Sequence, residues 1–132
     1  MKGQAMPLYH AWFATKRRRW LLEGEVDDRV AELIRSVCQE KGIDLIECET
    51  AIDHVHVLLR TSDRQELSRA MNYIKGATSR RLFQEMPELK LDIGMNNFWQ
   101  HRYGFKVVPE GARETVAEYV RTQKDRLEKY AG

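Results

Sequence analysis

The sequence predicts an α+β fold of the ferredoxin-like, split β-α-β type: an antiparallel sheet, crossover helices on one of its faces and an additional C-terminal helix. Four short apolar segments, near residues 8–15, 43–52, 54–60 and 98–108, are typical of strands. Apolar residues that recur every three or four positions predict helices after the first, third and fourth strands. With 132 residues, of which 42% are hydrophobic, chain 1–132 has the size of a single domain.

The ends of the first three strands, and of the helix that follows the first strand, are clearly marked in the sequence. In the first strand, His10 and Trp12 share one face, because side chains alternate along a strand. The first helix has its apolar stripe between Val26 and Cys38, and Gly42 follows at a position typical of helix ends. Ile46 is expected to be in step with Cys48 in the second strand. The link to the third strand is so short that it predicts a hairpin.

The second half of the chain is less regular. Ser62 and Gln65 fit a capping box, which opens a helix that we expect to end near Glu85. The non-apolar side of this helix has Lys75, Ser79 and Arg80. Residues 86–97 are polar and interrupted by Pro and Gly, so they predict a loop, and the last helix is expected at about 113–129.

Composition excludes some classes of protein and leaves others open. The formal net charge is only +2, so the chain is not a bulk polycation. Cys38 and Cys48 lack metal-ligand spacing, and we expect two reduced, buried thiols. No apolar segment approaches the length of a membrane span, and the first residues lack the pattern of a secretion signal, so a cytoplasmic protein without membrane contact is expected.

Basic residues are clustered although the net charge is low. One cluster is Lys16, Arg17, Arg18 and Arg19, which follows the first strand and lies between Trp12 and Trp20 in the sequence. Such a run is most often a solvated surface. The neighbouring aromatic residues make contact with nucleic-acid phosphates the alternative interpretation.

The third strand contains two histidines with one residue between them. His54 and His56 share a strand face, with their Cβ atoms about 6.5–7 Å apart, so both rings can bind one divalent ion. The commoner role of a histidine near a core is a structural hydrogen bond. Two imidazoles are too few for a structural zinc site, so a metal here would need further ligands and would suit catalysis better.

The last helix contains a second pair of chemical interest. Tyr119 and Gln123 are four residues apart, on one helix face. The Gln side chain offers a neutral oxygen to a hard cation, and a Tyr hydroxyl beside it can attack phosphorus. On this spacing alone, a packed Tyr and a solvated Gln are the simpler explanation.

Together these features resemble the HUH endonucleases, and among them the single-tyrosine transposases of small bacterial insertion sequences and their domesticated relatives. The matching features are His54-Val55-His56 and Tyr119 with Gln123, together with the segment Trp12–Arg19, Asp53, the helix segment 75–80, Phe98-Trp99-Gln100 and Tyr103-Gly104. The resemblance extends over nearly the whole chain. The sequence departs from the family pattern at Ile52, where many relatives have Pro.

The resemblance implies an enzyme that cleaves single-stranded DNA next to a hairpin. Tyr119 would attack the scissile phosphate to give a 5′-phosphotyrosine and a free 3′-OH, and a second strand end could then be joined. His54, His56 and Gln123 would bind Mg²⁺ or Mn²⁺. A phenol is mostly protonated at pH 7, and the sequence shows no general base beyond bound water or His10. Tyr9, Tyr73, Tyr103 and Tyr130 compete with Tyr119 as nucleophile, but the first three lack a Gln four residues later, and Tyr130 is near the end of the chain.

The resemblance also implies partners. Relatives form homodimers with shared active sites, and the same is expected of this chain, in the bacterial cytoplasm and associated with the nucleoid. Phosphate contacts would come from Lys16, Arg17, Arg18, Arg19, Lys75 and Arg80, with Trp12 either stacking on a base or packing in the core. Two alternatives are a domesticated enzyme that nicks palindromes and a non-catalytic nucleic-acid-binding module of the same fold. The recognised hairpin and the placement of the tyrosine helix in cis or trans stay open.

Overall fold

The computed structural model describes residues 6–93 and 97–123. Its strands are β1 (Leu8–Ala14), β2 (Asp44–Ala51), β3 (His54–Arg60) and β4 (Gly104–Val108). Its helices are α1 (Gly24–Lys41), α2 (Arg64–Glu85), α3 (Glu88–Ile93) and α4 (Arg113–Arg121), with short 3₁₀ turns at Lys16–Arg18 and Glu110–Ala112. None of the described helices is both long enough and apolar enough to cross a membrane.

The four strands form one antiparallel sheet in the order β2-β3-β1-β4. This order, with α1 and α2 as the crossovers, confirms the predicted ferredoxin-like fold. Alternate residues of the central strands, among them Ala11, Val57 and Leu59, are fully buried against α1 and α2. We call this side of the sheet the helix face and the opposite side the far face. That all of 1–132 forms one domain stays a prediction.

The β2–β3 hairpin positions the histidine strand. Ala51 pairs with His54, so Ile52 and Asp53 alone form the link, as the sequence predicts. Ile52 has φ 51°, a left-handed conformation that is costly for a β-branched residue and impossible for proline. The turn therefore differs in backbone conformation from any relative that has Pro here. A bulge between Leu45 and Glu47 also shifts the register of β2.

Four details of the predicted elements were wrong. The bulge places Ile46 on the far face, out of step with Cys48 on the helix face. Asp63, rather than Ser62, caps α2, because its carboxylate accepts the Glu66 amide. The predicted loop 86–97 contains the six-residue helix α3.

The fourth detail is the start of β4, which begins at Gly104 instead of Phe98. Phe98 and Trp99 are fully buried under α2, where the Trp99 indole donates to the Thr78 hydroxyl and the Phe98 amide donates to Ser79. The polar side of α2 that the sequence places on the surface is therefore partly buried.

A sheet with both crossover helices on one side could leave its other side open, but here α4 partly covers the far face. Helix α4 packs on β2 and β3, and Ala117 joins a small apolar cluster with Leu8, Leu58 and Val108. The Arg121 guanidinium pairs with Glu47 at 3.2 Å and so joins the end of α4 to β2. Residues 124–129 of the predicted helix, with Leu127, lie outside the described residues. The far face thus has two parts, the apolar cluster under α4 and the pair His54 and His56.

Candidate active site

Strand β3 presents both histidines on the far face, beside the end of β1. The ring centroids of His54 and His56 are 4.9 Å apart. His56 pairs with Trp12 across the sheet, and Val55 and Val57 between and after the histidines point into the helix-face core. Alternation along a strand with one buried face thus fixes the side on which the two imidazoles lie.

His54 is held by a carboxylate. Its Nδ1 is 2.7 Å from Asp53 Oδ1, and Arg18 Nε donates to the other carboxylate oxygen of Asp53 at 3.0 Å. Burial raises the pKa of Asp53, but the hydrogen bonds from His54 and Arg18 outweigh it, so the net pKa lies below its usual value. A carboxylate in this state only accepts, so His54 Nδ1 donates and Nε2 is the remaining ring nitrogen.

His56 is held by another imidazole. His56 Nδ1 lies 2.8 Å from His10 Nε2, and the two rings stack with centroids 5.1 Å apart. Burial, together with the nearby His54 and His10, lowers the pKa of His56 to about 3. Burial and the Lys106 charge lower the pKa of His10 as well. Both rings are therefore neutral near pH 7, the state in which an imidazole can bind a metal ion.

Helix α4 brings Tyr119 to this pair. The Tyr119 ring is edge-on to both buried imidazoles, with centroids 5.8 Å from His10 and 6.0 Å from His56. Tyr119 is 41% exposed, so a substrate can approach it. Ala117 and Val120, on either side along the helix, are buried and fix the rotation of α4 on the sheet.

A cavity of about 490 Å³ joins these groups, and His54, His56 and Tyr119 line it. Three cationic side chains, Arg18, Arg102 and Lys106, also line it. Arg102 and Lys106 were missed as candidate phosphate contacts from the sequence. Neither belongs to a basic run. The pairing of β4 with β1 places Lys106 opposite His10 and could have indicated Lys106, whereas no such signal exists for Arg102.

Trp12 forms one wall of the same cavity and is half-buried. A Cβ at Gly104, its partner on β4, would lie 2.4 Å from the indole ring, so only glycine allows the ring to lie flat on β4. Trp12 therefore lines a site instead of filling the core, which is compatible with stacking on a base.

Gln123 is not brought to the histidines. Its side-chain amide donates to the Tyr119 backbone oxygen at 3.0 Å, within its own helical turn. Among residues 6–93 and 97–123, no group of three or more His, Cys, Asp or Glu side chains forms a metal cluster. The donor set that fits a divalent ion is thus a half-site of two neutral imidazoles, to which water, phosphate oxygens or Gln123 must be added.

The predicted phosphate contacts have different environments. Lys75 is 5% exposed, and its ammonium donates to the backbone oxygens of His101 and Arg102 at 2.8 and 3.3 Å. Burial and the nearby Lys16 lower its pKa. Lys75 therefore fixes the segment that bears Arg102, and we do not retain it as a phosphate contact. Arg80 is exposed and lines a separate groove of about 500 Å³ beside α2.

The residues Lys16–Arg19, which we call the basic turn, have unusual backbone conformations. Arg17 and Arg18 have φ angles of 59° and 54°, in the left-handed region. Arg17, Arg18 and Arg19 are exposed, and Lys16 is half-buried. Strain of this kind is concentrated at functional sites. In this conformation Arg18 forms an ion pair with Asp53.

The other candidate tyrosines are placed differently. Tyr9 is 3% exposed in the helix-face core, and Tyr73 lies on α2 under the Lys41 ammonium. Tyr103 lines the same cavity as Tyr119, which makes it the relevant competitor. Tyr130 lies outside the described residues.

Comparisons with known proteins show the family of the chain. The family model described as "Transposase IS200 like" matches residues 6–123. The chain is 32% identical over 118 residues to the ISDra2 transposase TnpA of Deinococcus radiodurans, covering 89% of this chain and 84% of that protein. It is 30% identical over 115 residues to the transposase for insertion sequence element IS200 of Salmonella typhimurium, covering 87% and 75%.

Two solved structures have the same fold. A transposase structure from Deinococcus radiodurans superposes with a TM-score of 0.72 at 30% identity, covering 93% of this chain and 95% of that one. A REP-associated tyrosine transposase bound to a REP hairpin superposes with a TM-score of 0.65 at 13% identity, covering 93% and 69%. The second likeness shows the fold alone.

Proposed function

The chain belongs to the IS200-like transposase family, and on that premise we propose that it is a metal-dependent single-strand DNA transposase with Tyr119 as its nucleophile. The observation that supports this choice most directly is the position of Tyr119. Its exposed ring lies 6.0 Å from that of His56, in a cavity that cations and an indole also line.

The proposed substrate is single-stranded DNA next to a hairpin. The fold neighbour bound to a REP hairpin motivates this choice, and the charge of the site supports it. Arg18, Arg102 and Lys106 would bind phosphates inside the cavity, and Trp12 would stack on a base. Outside it, we retain Lys16, Arg17, Arg19 and Arg80 as phosphate contacts. A cytoplasmic, nucleoid-associated location stays a prediction.

The proposed reaction is a transesterification. The Tyr119 phenolic oxygen attacks the scissile phosphorus, the P–O3′ bond breaks, and a 5′-phosphotyrosine and a 3′-OH result. The phenolic proton is lost and O3′ gains a proton, so no hydrolytic water is consumed. Because the phosphodiester bond is exchanged for a phosphotyrosine bond, a second 3′-OH can reverse the step and join a new strand.

His54 and His56 are the proposed ligands of Mg²⁺ or Mn²⁺, through the ring nitrogens that Asp53 and His10 leave available. When bound, the ion supplies Lewis-acid polarisation of the phosphoryl group. Gln123 is the proposed third protein ligand, through its side-chain oxygen, and its side-chain nitrogen donates to the Tyr119 backbone oxygen in the structure.

The test is formation of a covalent adduct. We expect wild-type protein, incubated with a pool of labelled hairpin-bearing single strands and Mn²⁺, to give a labelled band that survives denaturation. Tyr119→Phe should abolish the band, whereas Tyr103→Phe, a matched change in the same cavity, should retain it. An adduct with Tyr119→Phe would refute the assignment of the nucleophile. Hairpin binding without metal and without any adduct would indicate the non-catalytic module instead.

The predicted homodimer with shared active sites has its own test. The structure brings Tyr119 to the histidines of its own chain, which is an arrangement in cis. Mixing Tyr119→Phe with His56→Ala restores the adduct only if the tyrosine of one chain acts on the histidines of another. Recovery in the mixture, together with a dimeric mass in solution, would support a trans site, and no recovery would support the cis site.

A further inference from the structure

His10 is a buried polar residue that neither the histidine motif nor the tyrosine helix includes. It is 9% exposed and lies on β1, opposite Leu58 on β3 and Lys106 on β4. Its ring reaches diagonally across the sheet to His56, with a nitrogen–nitrogen distance of 2.8 Å and an angle of 26° between the ring planes. Both a hydrogen bond and a stacking contact therefore fix the orientation of the His56 ring.

The hydrogen bond has two polarities, and only one of them leaves His56 able to bind a metal ion. If His10 Nε2 donates, His56 Nδ1 accepts, and a neutral His56 has its proton on Nε2. If His56 Nδ1 donates, Nε2 has a lone pair and is the only ring nitrogen of His56 that is not already occupied. The second polarity produces the same tautomer that Asp53 imposes on His54.

We propose that His10 is a positioning residue that accepts the His56 Nδ1 proton and thereby fixes the tautomer and ring orientation in which His56 Nε2 binds the metal ion. Partners of this kind orient metal-bound histidines in many proteins, and their loss typically costs about 10–100-fold in metal affinity. The inference rests on the proposed metal-binding function of His54 and His56. His10 touches neither the ion nor the substrate in this role.

The residues around His10 hold its ring in place and favour its neutral form, which can accept a hydrogen bond. The Trp12 ring lies 5.1 Å away on the same strand, and the Tyr119 ring lies 5.8 Å away, edge-on. The Lys106 charge on the neighbouring strand disfavours a second positive charge at His10. A loss of His10 would therefore leave a buried donor on His56 without its acceptor, next to the reacting tyrosine.

The first experiment measures Mn²⁺ affinity of the full-length protein without DNA. We expect His10→Leu, which has a similar volume and no acceptor, to weaken Mn²⁺ binding about 10–100-fold. His10→Gln should restore most of the affinity, because its amide oxygen can lie near the position of Nε2. His101→Leu is the matched control, since His101 is exposed and lies outside the site. Thermal unfolding of each variant separates loss of fold from loss of binding.

The second experiment reads the tautomer of metal-free protein by ¹⁵N NMR of the imidazoles. We expect His56 of the wild type to have its proton on Nδ1, and His10→Leu to shift the population toward the Nε2 tautomer. A wild-type His56 with its proton on Nε2, or a His10→Leu protein that binds Mn²⁺ as tightly as wild type, overturns the inference. If wild type binds no Mn²⁺, the proposed metal function fails, and the NMR result still decides whether His10 is the acceptor.

Discussion

The buried residues on the two faces of the sheet have different roles. On the helix face, about twenty buried residues, Leu59 and Ile74 among them, form one continuous apolar core with α1 and α2. Among the residues that the structure describes, the buried apolar cluster of the far face consists of Leu8, Leu58, Val108 and Ala117, and the other buried residues of this face include His10 and His56. The first face thus stabilises the fold, and the second uses a small cluster to hold α4 beside a polar cavity.

The largest expected effect tests this difference with two adjacent residues. Leu58 and Leu59 are both 0% exposed and point to opposite faces. Leu59→Ala should lower the free energy of unfolding by about 3–5 kcal/mol, because the dense helix-face core cannot collapse into the cavity. Leu58→Ala should cost less, about 2–3 kcal/mol, because α4 can settle toward the gap.

Urea unfolding measures both changes, and the adduct assay separates the faces. Leu58→Ala should reduce adduct formation by folded protein, because α4 positions Tyr119, whereas folded Leu59→Ala should retain it. Equal losses of stability together with unchanged adduct formation in both variants would contradict the division of labour between the faces.

The second expected effect concerns the cavity wall. Gly104→Ala places a Cβ 2.4 Å from the Trp12 indole, so the ring or β4 must move, at a cost of about 1–3 kcal/mol. Affinity for single-stranded DNA should fall as well if Trp12 stacks on a base. Gly76→Ala is the matched control, because the added methyl group meets no atom within 4 Å beyond its chain neighbours and the backbone of its own helix.

Because Gly76 lies within α2, Gly76→Ala should raise the free energy of unfolding by about 0.5–1 kcal/mol. Denaturant midpoints and a fluorescence binding titration check both variants. A Gly104→Ala protein that is as stable as wild type would show that Trp12 is not held against β4.

The third expected effect is sensitivity of the far face to acid. His56 has an ordinary pKa of 6.5, lowered in the folded protein to about 3. Between these values the unfolded chain binds a proton that the folded chain does not, so this contribution to stability is complete above pH 6.5 and is lost as the pH falls toward 3. For metal-free protein, we expect a loss of about 1–2 kcal/mol between pH 7 and pH 5.

His56→Gln should remove most of this loss, because its side chain does not titrate. Urea unfolding in the presence of a chelator, at the two pH values, makes the comparison. A variant with the same pH dependence as wild type would place the acid sensitivity elsewhere.

The same contrast between the two faces explains how much of the fold could be predicted from the sequence. The fold and the histidine strand follow from local patterns: alternation around Val55 and Val57, the periodicity of α1 and α2, and a two-residue hairpin link. The covering of the far face by α4 depends on Val116 and Ala117 meeting Leu8 and Leu58, residues more than fifty positions away. No local pattern reports such contacts.

The site shows the same limit. The two histidines and Tyr119 of one chain lie together, an arrangement in cis that the sequence left open. The proposed role of His10 depends on a diagonal contact between strands, and the burial of Lys75 depends on the backbone oxygens of His101 and Arg102. A lysine beside basic residues has the same sequence signature whether it binds phosphate or backbone oxygens, so only the structure separates the two roles.

The smallest expected effect separates backbone strain from charge in the basic turn. Arg17 has φ 59°, whereas Arg19 has an ordinary φ of −71°, and both are exposed. Asn adopts the left-handed conformation more readily than Arg, so Arg17→Asn should raise the free energy of unfolding by up to about 1 kcal/mol. Arg19→Asn, which removes the same charge, should give no such gain.

If both arginines contact phosphate, each substitution should also reduce the salt dependence of single-strand binding, by about 0.7 in the slope of log K against log salt. A gain in stability with a loss of binding at Arg17 would show that the strain is kept because it positions a charge for DNA. Equal stability of the two variants would remove strain from the explanation, and charge alone would then account for the contribution of the basic turn to binding.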